Sequence, residues 1–210
     1  MIGYDKDYFE WQKSCGTWGG IYDSIKFSEF VKPNDTLIDF GCGGGYILEK
    51  MPCAEKAGIE INPVARQFCL SKNLNVKESL DEIPEEWASI IISNHVLEHV
   101  PHPLSVLMDL KKKLKPKGKI IFIVPSERNI RYIPGNIDQH LYTWAEVNLG
   151  NLFKFAGYDI IRVEKVHLRW GIRFMFLQKL LGKQGILLFW NAYSRLRNDK
   201  KEIRIIAEKP

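Results

Sequence analysis

Cysteine is scarce in this 210-residue chain: there are four, Cys15, Cys42, Cys53 and Cys69. No two are spaced as C-x-x-C, which excludes a zinc ribbon and a thioredoxin-like redox motif. No apolar run approaches the roughly 20 residues needed to span a bilayer. The run Ile186 to Trp190, for example, is far too short. The opening, MIGYDKDYFEW, is charged and aromatic, and lacks the apolar segment of a secretory signal. Internal repeats, low-complexity tracts and long basic runs are also missing. The formal net charge is +5, too mild to argue by itself for a nucleic-acid partner. These absences predict a reduced, cytoplasmic protein. Peripheral attachment to the inner face of a membrane is compatible with them.

What is present is the composition of a globular domain, 45% hydrophobic and 26% charged. Short strand signals alternate with helical ones from about residue 35 to residue 166. The strands are read at Thr36–Phe40, Ala54–Ile61, Leu74–Lys77, Ser89–Ser93, Lys119–Val124 and Tyr158–Val166, with a last one at Glu202–Ala207. β-branched residues dominate the fourth and fifth, as expected of strands buried on both faces. Asn62-Pro63 reads as an N-cap followed by Pro at the first helical position. Thr143 to Glu146 has capping-box spacing, and Gly157 stands where the next helix should stop. Such alternation predicts a parallel sheet with right-handed crossovers. Ligands on that sheet sit at the carboxyl ends of its strands.

The sharpest local signal follows the first strand: Asp39-Phe40-Gly41-Cys42-Gly43-Gly44-Gly45. Glycines there let the backbone turn tightly and approach a ligand. A helix starting there adds donors and a favourable dipole. A dinucleotide G-x-G-x-x-G would need its third glycine at residue 46, which is Tyr46. An NAD-dependent oxidoreductase is therefore the weaker reading. Glu60 ends the second strand, 19 residues after Gly41, where a carboxylate can accept from both hydroxyls of a ribose.

DFGCGGG followed by that acid resembles the first motifs of class I, Rossmann-like S-adenosylmethionine (SAM) dependent methyltransferases. Further segments resemble the family in the same order: GIEINP, SNHVLEHVPHP, LKKKLKPKGKIIFIVP and HLYTWAEVNLGNLFKFAGYDIIRVE. The style is that of small-molecule, quinone, glycan and lipid methyltransferases. The resemblance implies a doubly wound, mostly parallel seven-stranded α/β sheet with an antiparallel last strand. It implies SAM as cofactor. Gly41 and Gly43 would pass under its methionine part, Asp39 would bind its amino end, and Glu60 would hold the ribose. Ile61 would pack on the adenine, Ser79 and Leu80 would border it, and Asn94 would complete the cofactor set. Two positions depart from the family pattern: Ser89 stands where many relatives open the fourth strand with Asp, and Ser79-Leu80, with Asp81 close by, stands where many carry an acid near the adenine.

The acceptor is not named by the sequence beyond an oxygen or nitrogen of a small molecule, with lipid- or sugar-containing acceptors included. Methyl transfer from a sulfonium is an in-line displacement, for which the protein chiefly positions donor and acceptor. A histidine suits removal of an acceptor proton near neutral pH, and His95 and His140 are the candidates. If the chain from Val96 onward is helical, His95, Glu98 and His99 share one face. A second reading makes His95, Glu98, His99 and His140 a metal set, resembling the E-x-x-E-H plus distal histidine of metal-dependent family members, with nitrogen ligands favouring zinc or a similar ion. A third makes Glu98-His99 a structural pair. A non-catalytic SAM-binding or interaction protein with the same fold is the alternative to an enzyme.

The single domain divides into an N-terminal helical lid (1–34), a core (35–166), a helical insert (167–199) and the last strand (200–210). In the lid, Tyr8, Trp11 and Trp18 are the aromatics expected to face the site. The stretch 166–198 carries six basic residues and no acid among many large apolar ones. That is how an interfacial helix reads. It is also compatible with a homodimer surface or with a hairpin packed on the sheet. Its apolar excess disfavours nucleic acid.

Overall fold

The computed structural model describes residues 6–126, 139–166 and 202–210, with residues 181, 182, 185, 188, 189 and 192 between the last two stretches. Within the first helix, the side chains of residues 6–8, 11, 12, 14, 15, 17 and 18 are not described. The expected lid contacts of Tyr8, Trp11 and Trp18, and most of the insert 167–199, therefore lie outside the described residues.

Seven strands form one sheet: β1 (Thr36–Phe40), β2 (Glu55–Ile59), β3 (Val76–Lys77), β4 (Ala88–Asn94), β5 (Leu114–Pro125), β6 (Asp159–Val166) and β7 (Glu202–Glu208). Their order is β3-β2-β1-β4-β5-β7-β6. β1 to β5 pair in parallel, while β7 runs antiparallel to both of its neighbours. The strand order reverses between β1 and β4, which opens a crevice at their carboxyl ends.

The apolar runs are continuous because both faces of the sheet are covered. In β4, Ile91 joins one core cluster while Ile90 and Ile92 join the other. In β5, Ile120, Phe122 and Val124 face the first and Ile121 and Ile123 the second. This is the two-residue period of a strand sorting alternate side chains to opposite layers. Helices α4 (Pro103–Lys113) and α5 (Glu146–Phe155) supply Leu107, Leu110, Leu149 and Phe153 to the first cluster. α1 (Lys6–Ser28), α2 (Tyr46–Lys50) and α3 (Pro63–Ser71) supply Phe27, Leu48 and Cys69 to the second.

Local signals explain several boundaries. Asn62 Oδ1 accepts from the Val64 amide at 2.9 Å, with Pro63 at the first helical position of α3. α5 ends in paired bonds from the Gly157 amide to Lys154 and from the Tyr158 amide to Phe153, with Gly157 at φ +83°. Its start differs from the expected Thr143–Glu146 box. The N-cap is Ala145, which has no side-chain acceptor, so one half of a box forms: Asn148 Oδ1 accepts from the Ala145 amide at 2.7 Å. Trp144, just before the cap, is buried, and the chain is non-helical through it. The third strand is also shorter than Leu74–Lys77, because the Leu74 amide bonds Cys69 O at 3.1 Å and closes the turn after α3.

Candidate functional site

The loop after β1 is built by three glycines in the left-handed region: Gly41 (φ +73°), Gly43 (φ +52°) and Gly45 (φ +71°). Its start is tied to β2, where Ile59 O accepts from the Gly41 and Cys42 amides at 2.8 and 3.1 Å. A β-carbon at Gly41 would overlap Val96, so glycine is required there twice over. Tyr46, which breaks the dinucleotide spacing, opens α2 and packs under Gly16 and Gly20 of α1.

Two buried carboxylates bracket this loop. Asp39 is the last residue but one of β1, and its Oδ2 has no hydrogen-bond partner among the described residues. Burial first, and then the charge of Glu60, push its pKa up to about 7, against one lowering bond from the Leu48 amide. Glu60 accepts from the Gly43 amide through Oε2 and from the Asn62 amide through Oε1, both at 2.8 Å. Burial raises its pKa, while those amides pull the other way. Each of its oxygens keeps a lone pair for a ligand.

Ile61 is 60% exposed beside this pair, so it is not a core residue. Ser79 caps a 3₁₀ turn over Leu80–Glu82: its hydroxyl accepts from the Asp81 amide at 3.2 Å, and Glu82 returns to the Glu78 and Ser79 amides. Leu80 is half-buried against the core. At the end of β4, Asn94 carries a buried Oδ1 without a partner among the described residues. Ser89 lies at the opposite, amino end of β4 and bonds Asp35 and Thr36, away from the crevice.

The histidines divide. A one-turn 3₁₀ segment, Leu97–His99, replaces the expected helix, and His95 precedes it in the left-handed region at φ +56°. His95 therefore does not share a helical face with Glu98 and His99. Its ring lies between two acids: Nε2–H donates to Glu202 Oε1 at 2.9 Å, and Nδ1 is 3.4 Å from Glu98 Oε1. Burial alone would lower its pKa; the bonds and charges of Glu202 and Glu98 outweigh burial and push it up to about 10. At neutral pH it is an imidazolium. Glu202, whose own burial would raise it, is held down to about 2 by Lys26 and His95. Glu98 is fully buried, and beyond the His95 ring 3.4 Å from Oε1 its oxygens have no partner among the described residues. His99 and His140 stack edge to face at 4.9 Å between centroids. Ligand atoms of Glu98, His99 and His140 all fall within 4.8 Å of one another. The structure thus brings three of the four proposed metal-set residues together and turns His95 toward Glu202.

Lys26, Asp23 and Glu202 had no sequence signal. Lys26 is 2% exposed and contacts Glu202 Oε1 at 2.6 Å and Asp23 Oδ1 at 2.7 Å. Glu202 lies 176 residues from Lys26 in the chain, so no local pattern relates them. Among the described residues, no helix is long and apolar enough to cross a membrane.

A family described as "Methyltransferase domain" matches residues 23–163. A ubiquinone biosynthesis O-methyltransferase of Nitrosococcus oceani is 30% identical over 152 residues, covering 55% of this chain and 64% of the relative. One of Photobacterium profundum is 29% identical over 129 residues, covering 50% and 55%. The chain therefore spans about half to two thirds of these relatives' length. A SAM-dependent methyltransferase of Archaeoglobus fulgidus superposes with a TM-score of 0.63 at 18% identity, covering 98% of this chain and all of that one. At that identity the likeness is one of fold.

Proposed function

The chain belongs to the methyltransferase domain family, and on that premise we propose that it transfers a methyl group from SAM to an oxygen of a small-molecule acceptor. The observation that carries this reading is the glycine loop bracketed by two buried acids, one of them with an oxygen unpartnered among the described residues. The O-methyltransferase name of its curated relatives favours oxygen over nitrogen.

The residues present fit the cofactor. Asp39 Oδ2 is a buried acceptor that an ammonium group would satisfy. Gly41 and Gly43 give the loop the left-handed backbone that brings its amides to a ligand. Glu60, already oriented by two amides, accepts ribose hydroxyls with its remaining lone pairs. Ile61 offers apolar surface to the adenine, Ser79 and Leu80 border it, and Asn94 supplies one more acceptor. Bound SAM supplies an electrophilic methyl on a sulfonium. The chain's part is to align the acceptor and receive its proton. His95, held as an imidazolium, acts as a charged contact rather than a base. His140 is the proton acceptor in this reading.

A specific observation also favours a metal: Glu98, His99 and His140 are clustered, and Glu98 Oε2 is buried without a hydrogen bond among the described residues. Two nitrogen donors suit a transition ion such as zinc. Metal analysis of purified protein decides this; no bound metal and activity unchanged by chelator exclude it. Residues 1–34 act as the lid in this proposal, and the insert 167–199 brings the chain to an anionic membrane or to a second copy. Sedimentation with anionic vesicles that is lost on deleting 168–198 supports the membrane role. A concentration-dependent dimer lost on the same deletion supports the other.

The function is tested by calorimetric titration with SAM, S-adenosylhomocysteine and NAD, beside Glu60→Ala. Micromolar binding of the sulfur ligands, lost in the variant and absent for NAD, is expected. Failure of both sulfur ligands to bind wild type overturns the proposal.

A further inference from the structure

We propose that Lys26 and Glu202 are positioning residues that hold the His95 ring over the acceptor half of the crevice, so that helix α1 and strand β7 complete that half. The proposal rests on the methyltransferase reading above and adds two residues to it.

Glu202 begins β7 and, because β7 is antiparallel, lies at the same edge of the sheet as the carboxyl end of β5, paired with Pro125. Its Oε1 accepts from Lys26 Nζ at 2.6 Å and from His95 Nε2 at 2.9 Å. Lys26 is held from its other side by Asp23 at 2.7 Å. The same turn of α1 is fastened a second time: Arg204 donates to the Lys26 carbonyl at 3.0 Å and pairs with Glu29 and Glu164. A chain of alternating charge thus runs Asp23, Lys26, Glu202, His95, Glu98 across α1, β7 and the end of β4.

Stability alone does not explain this chain. Removing charges from water offsets most of what their pairing returns, and an apolar replacement of similar volume is commonly as stable. The backbone supports a positional role. His95 is a non-glycine residue in the left-handed region, its amide bonded to Ile123 O at 2.9 Å, in a conformation that costs least for glycine. Glycine would take this backbone at less cost, and what the histidine adds there is a ring that reaches Glu202 at 2.9 Å and Glu98 at 3.4 Å. The ring is about one third exposed, whereas Lys26 and Glu98 are sealed, so His95 is the member of the chain that a ligand meets. The next residue, Val96, packs on Gly41. The turn holding the ring therefore also borders the cofactor loop.

The test uses the full-length protein labelled with ¹⁵N-histidine, comparing wild type with Glu202→Gln, Lys26→Met, Lys26→Arg and the double variant Lys26→Met/Glu202→Gln. Ring signals of His95 are assigned by their loss in His95→Gln. Wild type is expected to show a slowly exchanging His95 ring N–H bonded to a carboxylate. That signal should be lost in Glu202→Gln, weakened in Lys26→Met and restored in Lys26→Arg. S-adenosylhomocysteine affinity should stay within about threefold throughout. With a catechol as probe acceptor, kcat should fall at least about tenfold in Glu202→Gln while KM for SAM is unchanged, since small misplacements of a contact carry large rate penalties. If Glu202→Gln alone fails to fold, the double variant, in which neither partner is left as a lone buried charge, gives the same reading. An unchanged His95 signal in Glu202→Gln or in the double variant overturns the proposal, as does a parallel loss of cofactor affinity and melting temperature in every variant. A wild type that binds no S-adenosylhomocysteine but keeps the His95 signal overturns the methyltransferase reading instead, and leaves the charge chain standing.

Discussion

Asp39→Asn should make the protein more stable and worse at binding its cofactor. Asp39 is 2% exposed, and its Oδ2 meets no donor among the described residues. Burial and the nearby Glu60 move its pKa from 3.8 to about 7. The native state therefore keeps its proton where the unfolded chain has lost it, and stability falls as pH rises through the window from 3.8 to about 7. At about 1.4 kcal/mol per pH unit, the accumulated cost above pH 7 is on the order of 4 kcal/mol, an upper bound for a buried acid whose surroundings can relax. Asparagine removes the charge and keeps the shape. In thermal or denaturant unfolding, the variant should lose the pH slope below 7 and gain stability at pH 8. Binding should move the opposite way. An ionised Asp39 bonded to an ammonium is a charge-assisted contact worth about 1.5–3 kcal/mol, or roughly 10- to 100-fold in Kd. Wild-type affinity for S-adenosylhomocysteine should rise about tenfold per pH unit up to about pH 7 and then level off, because ligand and proton compete for one carboxylate. The variant should show a weak, flat profile. The reasoning is refuted if Asp39→Asn binds as tightly as wild type, or if it is destabilised at pH 8.

Gly41→Ala should lose stability and cofactor affinity together, since an alanine there is left-handed and overlaps Val96. The backbone alone accounts for about 1–2 kcal/mol, a fall of a few degrees in Tm for a chain of this size, and calorimetry should detect no S-adenosylhomocysteine binding. Asn62→Ala separates the two effects. The lost cap costs about 1 kcal/mol, seen as a lower Tm. Affinity should change by less than about twofold, because it is the backbone amide of Asn62, not its side chain, that orients Glu60.

The features legible in the chain alone are those whose cause is local. The apolar runs at Leu37–Ile38, Ile90–Ile92 and Ile120–Val124 are those of strands buried on both faces, and the strands stand there. Gly41, Gly43 and Gly45 marked a tight turn after β1, and all three stand in the left-handed region that glycine enters at least cost. Asn62-Pro63 marked the start of α3 and Gly157 the end of α5, because each satisfies backbone groups within a few residues of itself. Tertiary structure decided what depends on distant partners. α5 starts at Glu146, where Asn148 bonds the Ala145 amide, and not at the Thr143 box. The left-handed turn at His95 broke the face it was expected to share with Glu98 and His99. The charge state of His95 was set by Glu202, 107 residues on, and that of Glu202 by Lys26, 176 residues back. Sequence spacing carries periodicity and capping, which act over a turn or two. Electrostatic partnership is decided by distance in space, and here that distance is closed only when β7 folds back between β5 and β6.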